Sequence, residues 1–327
     1  MGDLVPRISG GAALLLGVAM ACAGGRSGPR SPAVADRSPG HRIASAPCEA
    51  LEAGGGSEPG CEVVLYESGD LPVRGFVFRP WPPASGRRYP AIVFNRGGNG
   101  DFGKIDASDL RLFRAYARRG FVVLASQYRG ADGAPGRDEF GGAELEDVRS
   151  LFPLARELAF VDLDNVFMLG FSRGGMMTYL AIRDGAPVRA AASVGGVSDL
   201  PALAAYRPEF LRIWADHMPR FDADPSERMR ERSAVLWADR IDKPLLLLHG
   251  GADRRVPPAQ SEALAAALRR AGRVVELDVF PGDDHALSKN AAERDARIVV
   301  WFQAHRAAPR NASDARTAEP GLSSPGR

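Results

Sequence analysis

The sequence predicts an α/β fold, a mainly parallel central sheet flanked by helices, with a helical excursion late in the chain. Three observations carry that expectation. Strand-like and helix-like segments alternate over most of the chain. Several strand-like runs, among them "AIVFN", "FVVLASQY" and "LLLLHG", are continuously apolar, as strands buried on both faces of a parallel sheet are. The composition, 45% hydrophobic and 25% charged over 327 residues, is that of a globular chain long enough to bury a large core.

The two ends stand outside that fold. Residues 1–22 carry Arg7, an apolar stretch from Ile8 and small residues up to Cys22, the order of an export signal. The stretch is too short and too rich in Gly and Ala for a transmembrane helix. Ala19-Met20-Ala21-Cys22 resembles a bacterial lipobox, although Ala19 stands where that motif favours Leu. Lipidation of Cys22, plain cleavage near Ala21 and a retained anchor all stay open. The protein is expected to be exported, as a periplasmic or cell-envelope lipoprotein or in secreted form. Residues 23–62 read as a linker, and 307–327 as a disordered tail. Without Cys22, Cys48 and Cys61 remain as a pair. In an exported protein they are expected to form a disulfide worth about 2–3 kcal/mol, the alternative being two free thiols.

Within residues 63–306 the elements follow in order. "EVVLYES" and "VRGFVFRP" lack a helical spacer and are expected to form an antiparallel edge. "AIVFN" follows, then "SDLRLFRAYARRG", a helix with Ser108 as N-cap, Leu112, Phe113 and Tyr116 on one face, and Gly120 as its stop. "AELEDVRSLFPLAREL" reads as a helix kinked at Pro153. "NVFMLG", "AAASVGG", "LLLLHG" and "VVELDVF" complete the strands. "PAQSEALAAALRRAG" is a helix opened by Pro258 and closed by Gly272. Residues 198–240, with Pro201, Pro208, Pro219 and Pro225, interrupt the alternation as a cap-like helical excursion. The formal net charge is +2, and Lys occurs only at 104, 243 and 289 amid scattered Arg. No nucleic-acid partner is expected.

The chemistry centres on "LGFSRGGMMT". Ser172 lies between a strand candidate and a helix candidate, with Gly170 and Gly174 on either side. G-x-S-x-G at such a joint is the nucleophile elbow of α/β-hydrolases, a sharp turn that lifts the serine above the sheet. The amide of Arg173 then points into the same space at a helix start, where developing negative charge is stabilised. A serine needs a base, and the base an orienting acid, in the chain order Ser, Asp or Glu, His. "LLLLHGGADRRVPP" supplies Asp253 after one strand, and "VVELDVFPGDDHAL" supplies His285 after the next. Asp199 is the runner-up acid. Asp283 and Asp284 are too close to His285 in sequence. Of the other histidines, His41 and His305 lie near the ends, His217 in the excursion, and His249 reads as structural. A second oxyanion donor is expected from Gly97 or Gly98 in "AIVFNRGGNGDFG", with the Arg96 side chain as a weaker candidate. No Cys/His cluster has metal-ligand spacing, so neither metal nor organic cofactor is expected.

Together "GFSRGGMMT", "YRGADGAPGRDEFGGAELEDV", "KPLLLLHGGADRRVPPAQSEAL" and "DDHAL" resemble the catalytic domain of the prolyl oligopeptidase family. The resemblance implies Ser172 as nucleophile, Asp253 as acid and His285 as base. It implies a serine-type peptidase acting on short peptides, with a carboxylesterase on small acyl esters as the alternative and an inactive binding module as a third reading. The chain departs from the pattern at two places. Arg96-Gly97-Gly98 replaces the usual His-Gly-Gly, and Arg173 stands where an aromatic residue is common. Both departures are expected to put arginines near the pocket. Family peptidases typically carry a β-propeller before this domain. Here about 25 linker residues and one small loop precede it, so the family's specificity does not transfer.

Overall fold

The computed structural model describes residues 39–51 and 56–308. Its strands are β1 (Arg42–Glu49), β2 (Ser57–Ser68), β3 (Leu71–Phe78), β4 (Tyr89–Asn95), β5 (Val122–Ser126), β6 (Val161–Phe171), β7 (Ala191–Val194), β8 (Leu245–Gly250) and β9 (Val275–Phe280). They form one sheet in the order β1-β2-β3-β5-β4-β6-β7-β8-β9. β1, β2 and β3 run antiparallel, and β3 meets β5 antiparallel. From β5 onward every pairing is parallel.

The continuous apolar runs are explained by two cores. In β4, Ala91 and Val93 face one core while Ile92 and Phe94 face the other. β6 does the same with Val166 and Met168 against Phe167 and Leu169, and β8 with Leu245 and Leu247 against Leu246 and Leu248. Period-two alternation here sorts side chains between two buried faces, so no polar residue interrupts these runs. Each such Val, Leu, Ile, Phe or Met side chain contributes about 1.5–3 kcal/mol by burial.

The helices are α1 (Ala107–Arg118), α2 (Leu145–Arg149), α3 (Leu151–Glu157), α4 (Arg173–Arg183), α5 (Leu200–Tyr206), α6 (Glu209–His217), α7 (Pro225–Glu231), α8 (Ala259–Arg270) and α9 (Ala291–Ala304). Phe113 and Tyr116 of α1, with Trp301 and Phe302 of α9, fill one core, where Phe167 stacks on Phe302 with ring centroids 4.7 Å apart. Met176, Met177 and Leu180 of α4, with Leu264 and Leu268 of α8, fill the other. Among the described residues no helix is long and apolar enough to cross a membrane.

Local details differ from the sequence reading for identifiable reasons. The N-cap of α1 is Asp106, not Ser108. Its carboxylate accepts the amides of Ser108 and Asp109 while Asp109 reaches back to the Asp106 amide, a complete capping box. The segment expected to kink at Pro153 is two helices divided at Ser150. Pro153 then falls in the first turn of α3, where a missing N–H costs nothing. In the segment read as a linker, Arg42–Glu49 and the start of β2 are sheet. β1 is an exposed edge that buries only Cys48, so it lacks apolar periodicity. Cys48 of β1 is disulfide-bonded to Cys61 of β2. Residues 1–38, on which Cys22 and the expected export signal fall, and 309–327 lie outside the described residues. At the boundary drawn for the tail, the Ala307 amide still donates to Asn165 Oδ1 at 2.8 Å. The excursion at 198–240 is α5, α6, α7 and two short 3-10 turns, held between β7 and β8.

Candidate active site

β6 ends at Phe171 and α4 begins at Arg173, so Ser172 alone makes the turn between them. Its backbone has φ 57° and ψ −121°, a conformation costly for any residue with a Cβ. The turn is held from below. The Ser172 amide donates to Val194 O at 2.8 Å, and the Ser172 carbonyl accepts from Gly175 and Val197. The flanking glycines are there for space. A Cβ on Gly174 would stand 1.9 Å from Asn95 O, and one on Gly170 2.1 Å from Gly174 O. Ser172 is half-buried and its Oγ makes no hydrogen bond to α4.

Asp253 and His285 come from the loops after β8 and β9. His285 Nδ1 and Asp253 Oδ2 are 2.6 Å apart. The other carboxylate oxygen, Oδ1, accepts the amides of Arg255 and Val256 at 2.8 and 3.0 Å. Burial opposes ionisation of Asp253, but His249, His285 and the Val256 amide outweigh it and hold its carboxyl well below the usual carboxylate range. The His285 ring packs against the turn after β7. A Cβ on Gly195 would lie 3.0 Å from its Nδ1, and Val194, the last residue of β7 just before that turn, accepts the Ser172 amide. Ser172 and His285 therefore share one support. Their direct Oγ–Nε2 hydrogen bond is not closed here, as is frequent in sites without substrate.

The loop after β4 faces Ser172. A Cβ on Gly97 would lie 3.2 Å from Ser172 Cβ and 3.9 Å from its Oγ. Gly98 has φ +66°, and a Cβ there would meet Phe102 O at 1.9 Å. The two arginines expected near the pocket are spent elsewhere. Arg96 is buried and turned away from the oxyanion position. Its guanidinium donates to the carbonyls of Gln127 (3.0 Å), Gly97 (3.0 Å), Gly100 (2.8 Å) and Phe102 (3.4 Å). Arg173 donates to Gly98 O and Asp138 Oδ2, both at 2.7 Å, and to Glu144. Asp138 Oδ2 also accepts the Gly100 amide at 2.9 Å. The Tyr128 ring lies between the guanidinium groups, 4.9 Å from Arg96 and 5.5 Å from Arg173. Burial opposes the charge on Arg173, but Asp138 and Glu144 more than offset it and hold its pKa above the ordinary value. Both guanidinium groups are buried and bonded to carbonyls of the loop that faces Ser172.

The remaining candidates have other partners. Asp199 caps α5 through the Ala202 amide. Buried Asp283 accepts the amides of Asp284, Lys289 and Asn290, and exposed Asp284 those of Ala286 and Ser288. His41 pairs with Glu157, and His305 bonds Trp301 O. His217, at the end of α6, donates from Nδ1 to Ile213 O at 2.8 Å, so its Nε2 accepts from Asn99 Nδ2 at 3.1 Å. The excursion is thereby tied to the loop that faces Ser172. His249 is not remote from the site, because its Nε2 lies 3.2 Å from Asp253 Oδ2. Its spacing of four residues from Asp253 at a strand end was the signal available in the sequence.

A parallel sheet with an antiparallel edge, a strained serine at a strand-to-helix turn, and an Asp–His pair from two later strand ends define an α/β-hydrolase. Within that class the chain belongs to the prolyl oligopeptidase family, whose model matches residues 108–308. By family it is a serine hydrolase of the peptidase class. It is 31% identical over 244 residues to the uncharacterized peptidase YtmA of Bacillus subtilis, covering 74% of this chain and 93% of that one. It is 27% identical over 277 residues to the acylamino-acid-releasing enzyme of Rattus norvegicus, covering 76% of this chain and 35% of the relative. A puromycin-hydrolyzing peptidase of Mycobacterium tuberculosis superposes with a TM-score of 0.65 at 27% identity, over 74% of this chain and 38% of that one. The chain thus spans nearly all of the first relative and little more than a third of the others.

Proposed function

We propose that Ser172, Asp253 and His285 form the catalytic triad of an exported peptidase acting on short or N-acylated peptides. The 2.6 Å His285–Asp253 bond, beside a serine held at φ 57°, carries this reading. As Ser172 Oγ attacks the substrate carbonyl carbon, its proton passes to His285 Nε2. Asp253 keeps the Nδ1–H tautomer in place and stabilises the imidazolium. The tetrahedral oxyanion takes hydrogen bonds from the Arg173 amide, an unsatisfied donor in the first turn of α4, and from the Gly97 amide, whose residue lies nearest the nucleophile. His285 then protonates the departing amine, leaving an acyl ester on Ser172. Water, deprotonated by His285, attacks that ester and restores the serine. The acylamino-acid-releasing and puromycin-hydrolyzing relatives support a small blocked or aminoacyl substrate.

Export rests on the signal-like residues 1–22, with lipidation of Cys22 as the favoured anchoring. Loss of the protein from the membrane fraction on Cys22→Ser is the expected result, and unchanged fractionation contradicts it.

A fluorophosphonate should label the wild-type protein and leave Ser172→Ala unlabelled. No label on the wild type, or equal label on the variant, refutes the mechanism and leaves a binding module. A parallel panel of acylaminoacyl amides, aminoacyl amides and p-nitrophenyl esters tests the substrate class. Rapid ester turnover with no amide turnover replaces the peptidase reading with a carboxylesterase.

A further inference from the structure

The acid of the triad carries a second imidazole. His249, the penultimate residue of β8, is fully buried. Its Nε2 lies 2.9 Å from Val256 O and 3.2 Å from Asp253 Oδ2. A carbonyl only accepts, so Nε2 carries the hydrogen and donates it to Val256 O, with Asp253 Oδ2 beside the same N–H at 3.2 Å. Its Nδ1 meets the buried Ser261 hydroxyl of α8 at 2.7 Å, which in the neutral ring donates to it. The Asp253 carboxylate thus accepts two amides at Oδ1 and faces two imidazoles at Oδ2, His285 at 2.6 Å and His249 at 3.2 Å.

We propose that His249 is a positioning residue for catalysis: through its Nε2–H it orients Asp253 Oδ2 toward His285 Nδ1 and shares the carboxylate's negative charge with His285. The inference rests on the triad reading above. The other charged groups around this corner point elsewhere. Asp283 and Asp284, whose carbonyls back onto Gly250, turn their carboxylates onto loop amides. Arg207 donates to Glu209 and to the Arg255 carbonyl, and Arg294 to Asp295 and to the Ala286 carbonyl. Among the described residues, the two histidines are the only titratable side chains paired with Asp253.

His249→Phe keeps a ring in the cavity and removes the donor. With His249 gone, Asp253 presents its charge to His285 alone, which favours the imidazolium. The acid limb of kcat/KM, which reports the free base, should therefore move to higher pH. kcat per fluorophosphonate-titrated site should fall about tenfold, the scale typical of residues that orient a site from behind. His249→Gln, whose amide can still donate, should recover part of both changes. A merely structural histidine would lower the melting temperature and the titratable fraction but leave the limb and kcat per site unmoved, and that outcome overturns the proposal. Should His249→Phe not fold, Ser261→Ala decides. It frees Nδ1 and should shift the limb in the same direction by less, and an unchanged limb refutes the role. Asp253→Ala is measured alongside. If Asp253→Ala retains full turnover, the triad reading itself falls. If it is inactive while His249→Phe behaves as wild type, only this inference falls.

Discussion

Arg173 Nη1 stands 2.7 Å from the carbonyl oxygen of Gly98, so the residue after the candidate nucleophile holds the loop that faces it across the site. Its other partners, Asp138 and Glu144, lie in the segment between β5 and α2, and Asp138 also grips the Gly100 amide. Breaking a buried pair by removing one partner costs about 3–5 kcal/mol, because the uncompensated charge stays behind. Arg173→Met should therefore lower the unfolding free energy by about that amount in denaturant titrations. Arg173→Lys, which keeps the charge but loses the planar fork, should fall between the two. Stability within 1 kcal/mol of wild type for Arg173→Met would show that the network is dispensable.

The two tight glycines should fail differently. Gly174→Ala drives a Cβ into the Asn95 carbonyl, backbone against backbone, and should destabilise the whole elbow. Gly97→Ala makes contacts of 3.2 Å with Phe171 O and Ser172 Cβ, which small shifts relieve. Its melting temperature should stay close to wild type while kcat falls, since the added methyl crowds the nucleophile. Thermal melts beside turnover per titrated site separate the two effects. Equal losses of stability would count against this assignment.

Acid should weaken the fold in a defined window. Burial opposes ionisation of Asp138, but Arg173 and the amides of Gly100 and Phe140 keep its carboxyl below the usual carboxylate range, and Asp253 is lowered likewise. Groups with depressed folded-state pKa values contribute stability above the unfolded value, about 3.9 for Asp, and lose it as pH falls through the folded value. Denaturation midpoints should drop steeply below about pH 4, and less steeply in Asp138→Asn. A profile flat from pH 5 to 3 would contradict the pairing.

Reducing the Cys48–Cys61 bond should cost stability but not catalysis. The cross-link spans 13 residues, for which chain entropy gives about 3 kcal/mol. It staples the edge pair β1–β2, and the site lies beyond β5, at β4, β6, β8 and β9. A lower melting temperature with unchanged kcat at 25 °C after reductant is the expected result. A parallel loss of turnover at that temperature would tie the edge to the site.

What could be read from the sequence divides along physical lines. The placing of Ser172, Asp253 and His285 at strand ends was visible because such ends are marked by apolar runs that stop at Gly and Pro, here after β6, β8 and β9. The parallel core was visible for the same reason. β1 was hidden, because an exposed edge of small and polar residues carries no apolar period. The partners of Arg173 were hidden as well. Asp138 and Glu144 sit in a Gly-rich loop where buried and solvated carboxylates look alike in sequence. His249 was placed correctly at a strand end, but whether its ring turns toward Asp253 depends on the path of the 251–256 turn.

The buried set formed by Arg173, Asp138 and Glu144 also constrains how this sequence can drift. Introducing an aromatic at position 173 leaves two desolvated carboxylates without their cation. Replacing either acid first leaves the cation short of its counter-charges. The three positions are therefore epistatic. They should be found to vary together, and combined substitution to Tyr, Asn and Gln should be tolerated better than the sum of the single changes predicts.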